Sequence, residues 1–429
     1  MKEDKKVVWR KLDNSAKLFP SVSNKRFSTV FRISVLLKEK IEPFALQMAV
    51  NQALEKFVSF KVKLRKGLFW YFLEENEQIP VVEEEHNYPC KYIDPVNNNG
   101  YLFKVTYFEN KINLDVFHTL TDGNTAIRFF KSIVYNYLEA THADNFEVNR
   151  RDKSVVINDT EDSYLKNYNK HLGSREKSRT AYVLKGKKLP LFAIGVIHGY
   201  IDLPKLKEVC KEKDVTITGY LTAVLIRAIY EENYKKHNGK KPIRICIPIN
   251  LKKYFASTTM SNFFSYITLE ADVQKDDFDN FDNILDFVKN NLKKQLNEDK
   301  VTKTMSANVK WGNNIFVKLI PLFLKNMLLK ISYMIIRRYT TTTLSNLGRI
   351  SVLPEYKDYI DKFLLLLAPE PVEKIKCSAC SYEDKLIFTF TSILEDISIE
   401  KGFFKYLEAQ GIFVELESNE VHYDLSKID

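Results

Sequence analysis

The chain has 429 residues, 45% hydrophobic and 28% charged, with only 13 Gly and 13 Pro, which excludes disordered, collagen-like and linker-dominated proteins. Its 65 Lys and Arg against 55 Asp and Glu leave a formal net charge of +10. That charge fits an anionic small molecule, an acidic carrier protein or a membrane surface. Nucleic acid is not expected, because the basic residues are scattered among acids without a zinc-finger spacing, an RNA-binding aromatic motif or a basic arm.

In chain order, the opening Met1-Lys-Glu-Asp-Lys-Lys is not followed by an apolar core of signal-peptide length, and the expected compartment is the cytoplasm. Phe27 to Leu37 is rich in β-branched and aromatic residues and predicts a strand. Ala45 to Phe57 places Leu46, Ala49, Val50, Ala53 and Leu54 at helical spacing. Phe60 to Leu64 and Leu68 to Glu74 predict strands around a Lys-Gly turn, and Tyr101 to Tyr107 with Ile112 to Phe117 predicts a hairpin. A helix follows over Thr125 to Leu138. From Asn149 to Leu189 the chain turns polar, and this stretch is the predicted crossover between two halves.

The second half repeats the mixture. Strands are predicted over Ala193 to Asp202, Ile243 to Ile249, Phe264 to Leu269, Thr340 to Thr343 and Leu386 to Ile393. Helices are predicted over Pro204 to Lys211, Thr218 to Tyr234, Phe281 to Leu296 and Lys401 to Gln410. Phe316 to Ile336 has the length of a membrane span but carries Lys318, Pro321, Lys325, Asn326 and Lys330. Its three lysines and Asn326 gather within an arc of roughly 140° at 100° per residue, which predicts an amphipathic helix with its apolar face in the core. A basic helix resting on an anionic bilayer, or lining an acyl-chain channel, is the alternative.

The five cysteines, Cys90, Cys210, Cys246, Cys377 and Cys380, predict reduced thiols. Cys377-Ser-Ala-Cys380 lies in an alternating stretch and predicts a buried strand rather than a metal or redox site. No histidine shows metal-ligand spacing and no Gly-rich phosphate loop is present, so neither a metal nor a bound cofactor is expected. The intermixed elements predict an α/β or α+β protein of two similar lobes.

The string that carries chemistry is Asp115-Val116-Phe117-His118-Thr119-Leu120-Thr121-Asp122-Gly123. A strand delivers His118 to a strand–helix junction, where an uncharged imidazole can take a proton from an attacking hydroxyl or amine. Asp122 suits the tight turn and the cap of the following helix, and Gly123 suits the chain reversal.

These residues resemble the HxxxDG motif of the CoA-dependent acyltransferase superfamily, which includes chloramphenicol acetyltransferase, alcohol acetyltransferases and the condensation domains of peptide synthetases. The motif is matched at His118, Asp122 and Gly123, with Phe117 where some relatives carry a first histidine. Ile245 to Lys252 (ICIPINLK) is similar to the family's strand ending in Pro-Val-Asn-Leu-Arg, with Lys252 where Arg is usual. Ser261-Asn262-Phe263-Phe264 and Thr343-Leu344-Ser345-Asn346-Leu347-Gly348 resemble two further family stretches, the second typical of the alcohol acetyltransferase branch.

The resemblance implies two chloramphenicol acetyltransferase-like lobes, residues 1–185 and 186–429, with a tunnel between them and His118 midway along it. It implies acyl transfer, acetyl in the first instance, from acyl-CoA as cosubstrate to a small alcohol or amine, an alcohol being preferred. His118 would be the general base. Asp122 and Gly123 would be structural, with Lys252 as the basic partner of Asp122. Ser345 and Asn346 would serve the oxyanion or the tunnel wall. The alternatives are a donor on an acyl carrier protein, a lipid acceptor met through peripheral membrane contact, and a binding protein that keeps the fold without catalysis.

Overall fold

The computed structural model describes residues 9–146, 161–172, 178–275 and 277–421. Parts of the predicted 149–189 crossover, and His422, lie outside these residues. The first part of the chain runs β1 (Trp9–Lys11), α1 (Phe19–Val22), β2 (Val30–Leu37), α2 (Pro43–Lys56), β3 (Val62–Lys66) and β4 (Tyr71–Glu75). It continues with β5 (Val82–Glu84), β6 (Phe103–Phe108), β7 (Lys111–Phe117), α3 (Gly123–Thr141) and the one-turn α4 (Ser163–Lys166). The Ile112-x-Leu114-x-Val116 alternation makes β7 a central strand, antiparallel to β2 on one side and β6 on the other. Helix α2 buries Leu46, Ala49, Val50, Ala53 and Leu54, and α3 buries Phe129, Phe130, Ile133, Val134 and Tyr137 in the same core.

The second part opens with β8 (Gly195–Asp202), α5 (Leu203–Glu212), α6 (Ile217–Ile229), β9 (Ile243–Asn250), β10 (Phe264–Ala271) and α7 (Phe281–Gln295). Next come α8 (Glu298–Asn313), α9 (Ile315–Leu319), α10 (Leu322–Ile336), β11 (Thr342–Arg349), β12 (Ile360–Leu367), β13 (Ile375–Tyr382), β14 (Lys385–Ser392), α11 (Ser398–Ala409) and β15 (Val414–Ser418). The predicted helix 218–234 is α6 followed by a π-helical turn over Tyr230–Tyr234. Its start is fixed by Thr216, whose hydroxyl accepts from the Gly219 amide at 3.1 Å.

Among the described residues the strands form a five-stranded sheet, β12-β2-β7-β6-β5, a seven-stranded sheet, β10-β9-β11-β13-β14-β8-β15, and a small sheet, β1-β4-β3. The five-stranded sheet packs in the first buried core, whereas the seven-stranded sheet carries the second core and also contributes Val196, Tyr200, Cys380, Tyr382 and Ile387 to the first. The fold is therefore mixed helix and sheet in two lobes. A boundary near residue 185 divides chain order but not sheet membership: β12 comes from the second half and pairs antiparallel with β2 of the first. It seals the lobes together, because its backbone carbonyls accept from Ser378, Cys380 (3.4 Å at Phe363) and Thr391 (2.7 Å at Leu367) of the opposite sheet.

Cys377 and Cys380 lie on opposite faces of β13, Cys377 in the second core and Cys380 in the first, as expected of a buried strand rather than a dithiol pair. One glycine on β8 is sterically required. A Cβ at Gly199 would lie 2.1 Å from the Phe404 ring of α11. Gly199→Ala is expected to cost about 1–3 kcal/mol by overpacking, read as a lowered midpoint in thermal or urea unfolding.

The segment over 316–336 differs most from its sequence reading. Pro321, with φ −56° and ψ 145°, breaks it into α9 and α10. Helix α10 buries Leu322, Lys325 and Leu329 and turns most of its apolar residues outward. Lys325 is buried with its ammonium 3.4 Å from the Trp70 ring centroid and 2.8 Å from the Phe69 carbonyl. Asn326 accepts from Ser21 at 2.7 Å and donates to the Tyr71 hydroxyl at 2.9 Å. Phe323, Met327 and Ile331 face outward. The prediction that the apolar face joins the core holds for Leu322 and Leu329 but fails for most of that face, because the groove offers a π-face and carbonyls that solvate the polar groups. Among the described residues no helix is long and apolar enough to cross a membrane.

Candidate active site

Strand β7 ends at Phe117, and the His118 amide still donates to the Thr29 carbonyl at 3.2 Å, continuing the pairing with β2. The chain then turns, with the Leu120 amide on the Phe117 carbonyl at 2.8 Å, and enters α3 through Asp122 in extended conformation. Thr121 anchors the turn across the lobes by donating its hydroxyl to the Met260 carbonyl at 2.7 Å.

The His118 ring is walled by three phenylalanines. Phe19 of α1 stacks at 5.1 Å with an interplanar angle of 24°, Phe31 of β2 lies at 4.7 Å, and Phe264 of β10 lies at 5.7 Å. Since Phe31 belongs to one sheet and Phe264 to the other, the imidazole sits at the junction of the lobes. The residue is partly exposed, whereas its Nδ1 is buried without a hydrogen-bond partner. Burial among the aromatic rings lowers the imidazole to about 4, while the Asp122 charge, the Asn262 side chain and the Thr121 backbone act in the opposite direction. The ring is therefore uncharged at neutral pH.

Asp122 is the N-cap of α3. One carboxylate oxygen accepts from the Thr125 amide and the other from the Phe263 amide, both at 3.0 Å. It thus ties the helix start in one lobe to the Asn262-Phe263 turn of the other. Lys252 lies beside this cap, donating to the Thr259 carbonyl at 2.7 Å and the Thr125 hydroxyl at 3.4 Å. Strand β11 reaches the same place: a Cβ on Gly123 would meet Leu347 at 3.4 Å. Alternation along β11 separates the other two candidates. Asn346 turns to the helix side of the sheet, donating to the Thr218 hydroxyl at 3.0 Å and accepting from the Gly348 amide at 2.8 Å. Ser345 takes the opposite face, which it shares with Thr343. The structure brings His118, Asp122, Gly123, Lys252 and the end of β11 together, with the Asn346 side chain turned away.

Several groups here carry no signal in the sequence. Asp13, ahead of α1, is fully enclosed and accepts from the Ala16 amide at 2.8 Å and from the Asn262 amide and side chain at 3.2 and 2.9 Å. Burial raises its carboxyl to about 6, against the pull of these donors. Asn262 also donates to the His118 carbonyl at 3.1 Å, so one side chain links the N-terminal segment to the histidine. On the face of the second sheet that carries Ser345, Lys376 lies 2.5 Å from Glu370 and 3.5 Å from Glu373. Tyr333 donates to Glu370 at 3.1 Å and Thr343 to Glu373 at 2.5 Å. Burial raises the Glu373 carboxyl, with Lys376 opposing. The Lys376 charge is felt at His118, whose pKa it lowers.

Residues 200–363 match the family model for alcohol acetyltransferase. No curated protein matches the chain by sequence. Among solved structures, trichothecene 15-O-acetyltransferase TRI3 from Fusarium sporotrichioides superposes with a TM-score of 0.62 at 9% identity, covering 95% of each chain. TRI101 of the same organism, solved with coenzyme A and T-2, gives 0.60 at 11% identity over 95% of this chain and 99% of that one. Polyketide synthase associated protein 5 from Mycobacterium tuberculosis gives 0.61 at 14% identity over 93% and 96%. The chain therefore has the two-lobed fold shared by the CoA-dependent acyltransferases and condensation domains.

Proposed function

We propose that this chain, built on the acyltransferase fold, moves an acyl group, acetyl in the first instance, from acyl-CoA as cosubstrate to the hydroxyl of a small alcohol. The observation that carries the reading is an uncharged, partly exposed His118 between Phe31 of one lobe and Phe264 of the other. The alcohol acetyltransferase match over 200–363 and the coenzyme A complex of TRI101 support the choice of donor and acceptor.

In this reading the acceptor hydroxyl gives its proton to the accessible nitrogen of His118, which requires Nδ1 to carry the ring proton. The oxygen forms a bond to the thioester carbonyl carbon, the carbon–sulfur bond breaks, and the imidazolium returns the proton to the thiolate. Asp122, through its two amide bonds, and Gly123 hold the turn, and its charge favours the transient imidazolium. Lys252 braces the cap. Ser345 faces the first lobe and serves the oxyanion or the cavity wall, whereas Asn346 shapes the end of β11. The lobes 1–185 and 186–429, with β12 crossing between them, would close the tunnel.

The test is a screen of acyl-CoA donors against alcohols and amines, read as free thiol. Alcohol-dependent release supports the reading, whereas amines alone accelerating release would move it to N-acylation. A second expectation concerns pH. Because His118 is lowered to about 4, the base form persists well below the usual histidine midpoint. The profile of kcat/KM should be flat through about 6.5, the unperturbed histidine value, and fall only on approaching about 4. An acid limb centred near the unperturbed value would show that burial does not set the titration of this ring.

A further inference from the structure

We infer that the outer face of α10 docks on an anionic lipid bilayer. Phe323, Met327, Leu328, Ile331, Met334 and Ile335 are all exposed, Phe323 by 73% and Met327 by 53%. At 100° per residue they fill an unbroken arc of roughly 140° on the helix. Three polar residues of the same helix, Lys325, Asn326 and Tyr333, point inward, to Trp70, Ser21, Tyr71 and Glu370. Leu68, exposed by 73% at the tip of the β3–β4 hairpin, extends the patch, and its carbonyl accepts from the Leu322 amide at 2.8 Å. Soluble surfaces rarely leave an apolar area of this extent uncovered.

Charge identifies the occupant. From Val301 to Pro354 the chain carries eight Lys or Arg and no Asp or Glu. Lys318, Lys330 and Arg338 stand exposed around the apolar arc. An apolar face rimmed by cations matches acyl chains beneath anionic headgroups. A two-fold contact with a second copy fits less well, because it sets this acid-free rim against its own image. The helix is also bonded to α1 through Ser21–Asn326, and α1 carries the Phe19 that stacks on His118, so the docked surface lies close to the proposed reaction centre.

The inference does not depend on the acyl-transfer reading, because binding is measured without turnover. The full chain is floated with phosphatidylcholine vesicles with and without phosphatidylserine, at low and physiological salt. Binding should require phosphatidylserine and weaken with salt. Phe323→Glu with Ile331→Glu should reduce it on the order of tenfold or more, and Lys330→Glu should reduce it while leaving the apolar face intact. The thermal midpoint and the far-ultraviolet circular dichroism spectrum report that the variants remain folded. No flotation at low salt, or flotation unchanged in Lys330→Glu and the double variant, would overturn the inference. A dimer in solution that Phe323→Glu dissolves, without vesicle binding, would assign the face to a second copy instead.

Discussion

Replacing His118 by Ala should lower the rate of acyl transfer on the order of 10²–10⁴-fold, the usual cost of losing a positioned general base. The loss should fall on kcat, with KM for the acyl donor little changed, because the ring acts on the acceptor proton. Some stability should also be lost, because the ring packs against Phe19, Phe31 and Phe264, but the variant should remain folded. The tie between the lobes runs through backbone atoms, from Asn262 to the His118 carbonyl and from the His118 amide to Thr29. A folded variant that keeps its rate with a confirmed alcohol acceptor would remove the base assignment. Steady-state kinetics paired with a thermal melt separates the two outcomes.

Lys376→Met should be the most destabilising of the substitutions considered, by about 3–5 kcal/mol, the cost of removing one member of a buried ion cluster. Its side chain is 14% exposed, and those of Glu370 and Glu373 are 5% and 8%. Burial disfavours the Lys376 ammonium, but the two carboxylates outweigh it and raise its pKa. Without that cation Glu370 and Glu373 face each other in a poorly solvated space, held only by Tyr333 and Thr343. A carboxyl would then take up a proton on folding. A folded-state carboxyl pKa raised above its unfolded value gives stability that is lost as pH rises through it. The deficit of the variant should therefore be larger at pH 8 than at pH 6 in urea unfolding. A difference from the parent chain below about 1 kcal/mol at both values would mean that the cluster is well enough solvated to relax.

Local pattern and the structure agree where one face of an element meets one core. The alternation in Ile112 to Phe117 and the helical spacing in Ala45 to Phe57 correspond to β7 and α2, and the strand–turn–helix around His118 is as its residues suggest. Strand β12 was missed for a physical reason. Its Phe363 to Leu366 run is buried on both sides, so it shows no alternation, and its place in the first sheet depends on a crossover that no local signal encodes. Helix α10 was misread because periodicity locates the apolar arc without saying which arc faces inward. Trp70, Ser21 and Tyr71 lie some 250–300 residues away in sequence and give Lys325 and Asn326 a polar interior.

The candidate site was legible only in its motif residues. Asp122 reads in the sequence as the cap of the following helix beside a basic partner, and the structure has that cap at the Thr125 amide. The second amide on its carboxylate comes from Phe263 of the other lobe, a backbone donor without a local signal. Asp13 likewise has no local signal, because its partner Asn262 comes from far along the chain. Lys376 follows Glu373 by three residues and Glu370 by six, and what the sequence does not show is the burial that closes them into one cluster.

The most direct test follows the acyl carbon itself. The protein is given acetyl-CoA labelled at the carbonyl carbon together with an alcohol that promotes thiol release, and the products are separated by mass. Labelled ester formed in step with free thiol, and absent with His118→Ala, is the predicted result. Labelled acetate in step with thiol and no ester would show hydrolysis, and thiol release indifferent to every alcohol would contradict acyl transfer to a hydroxyl.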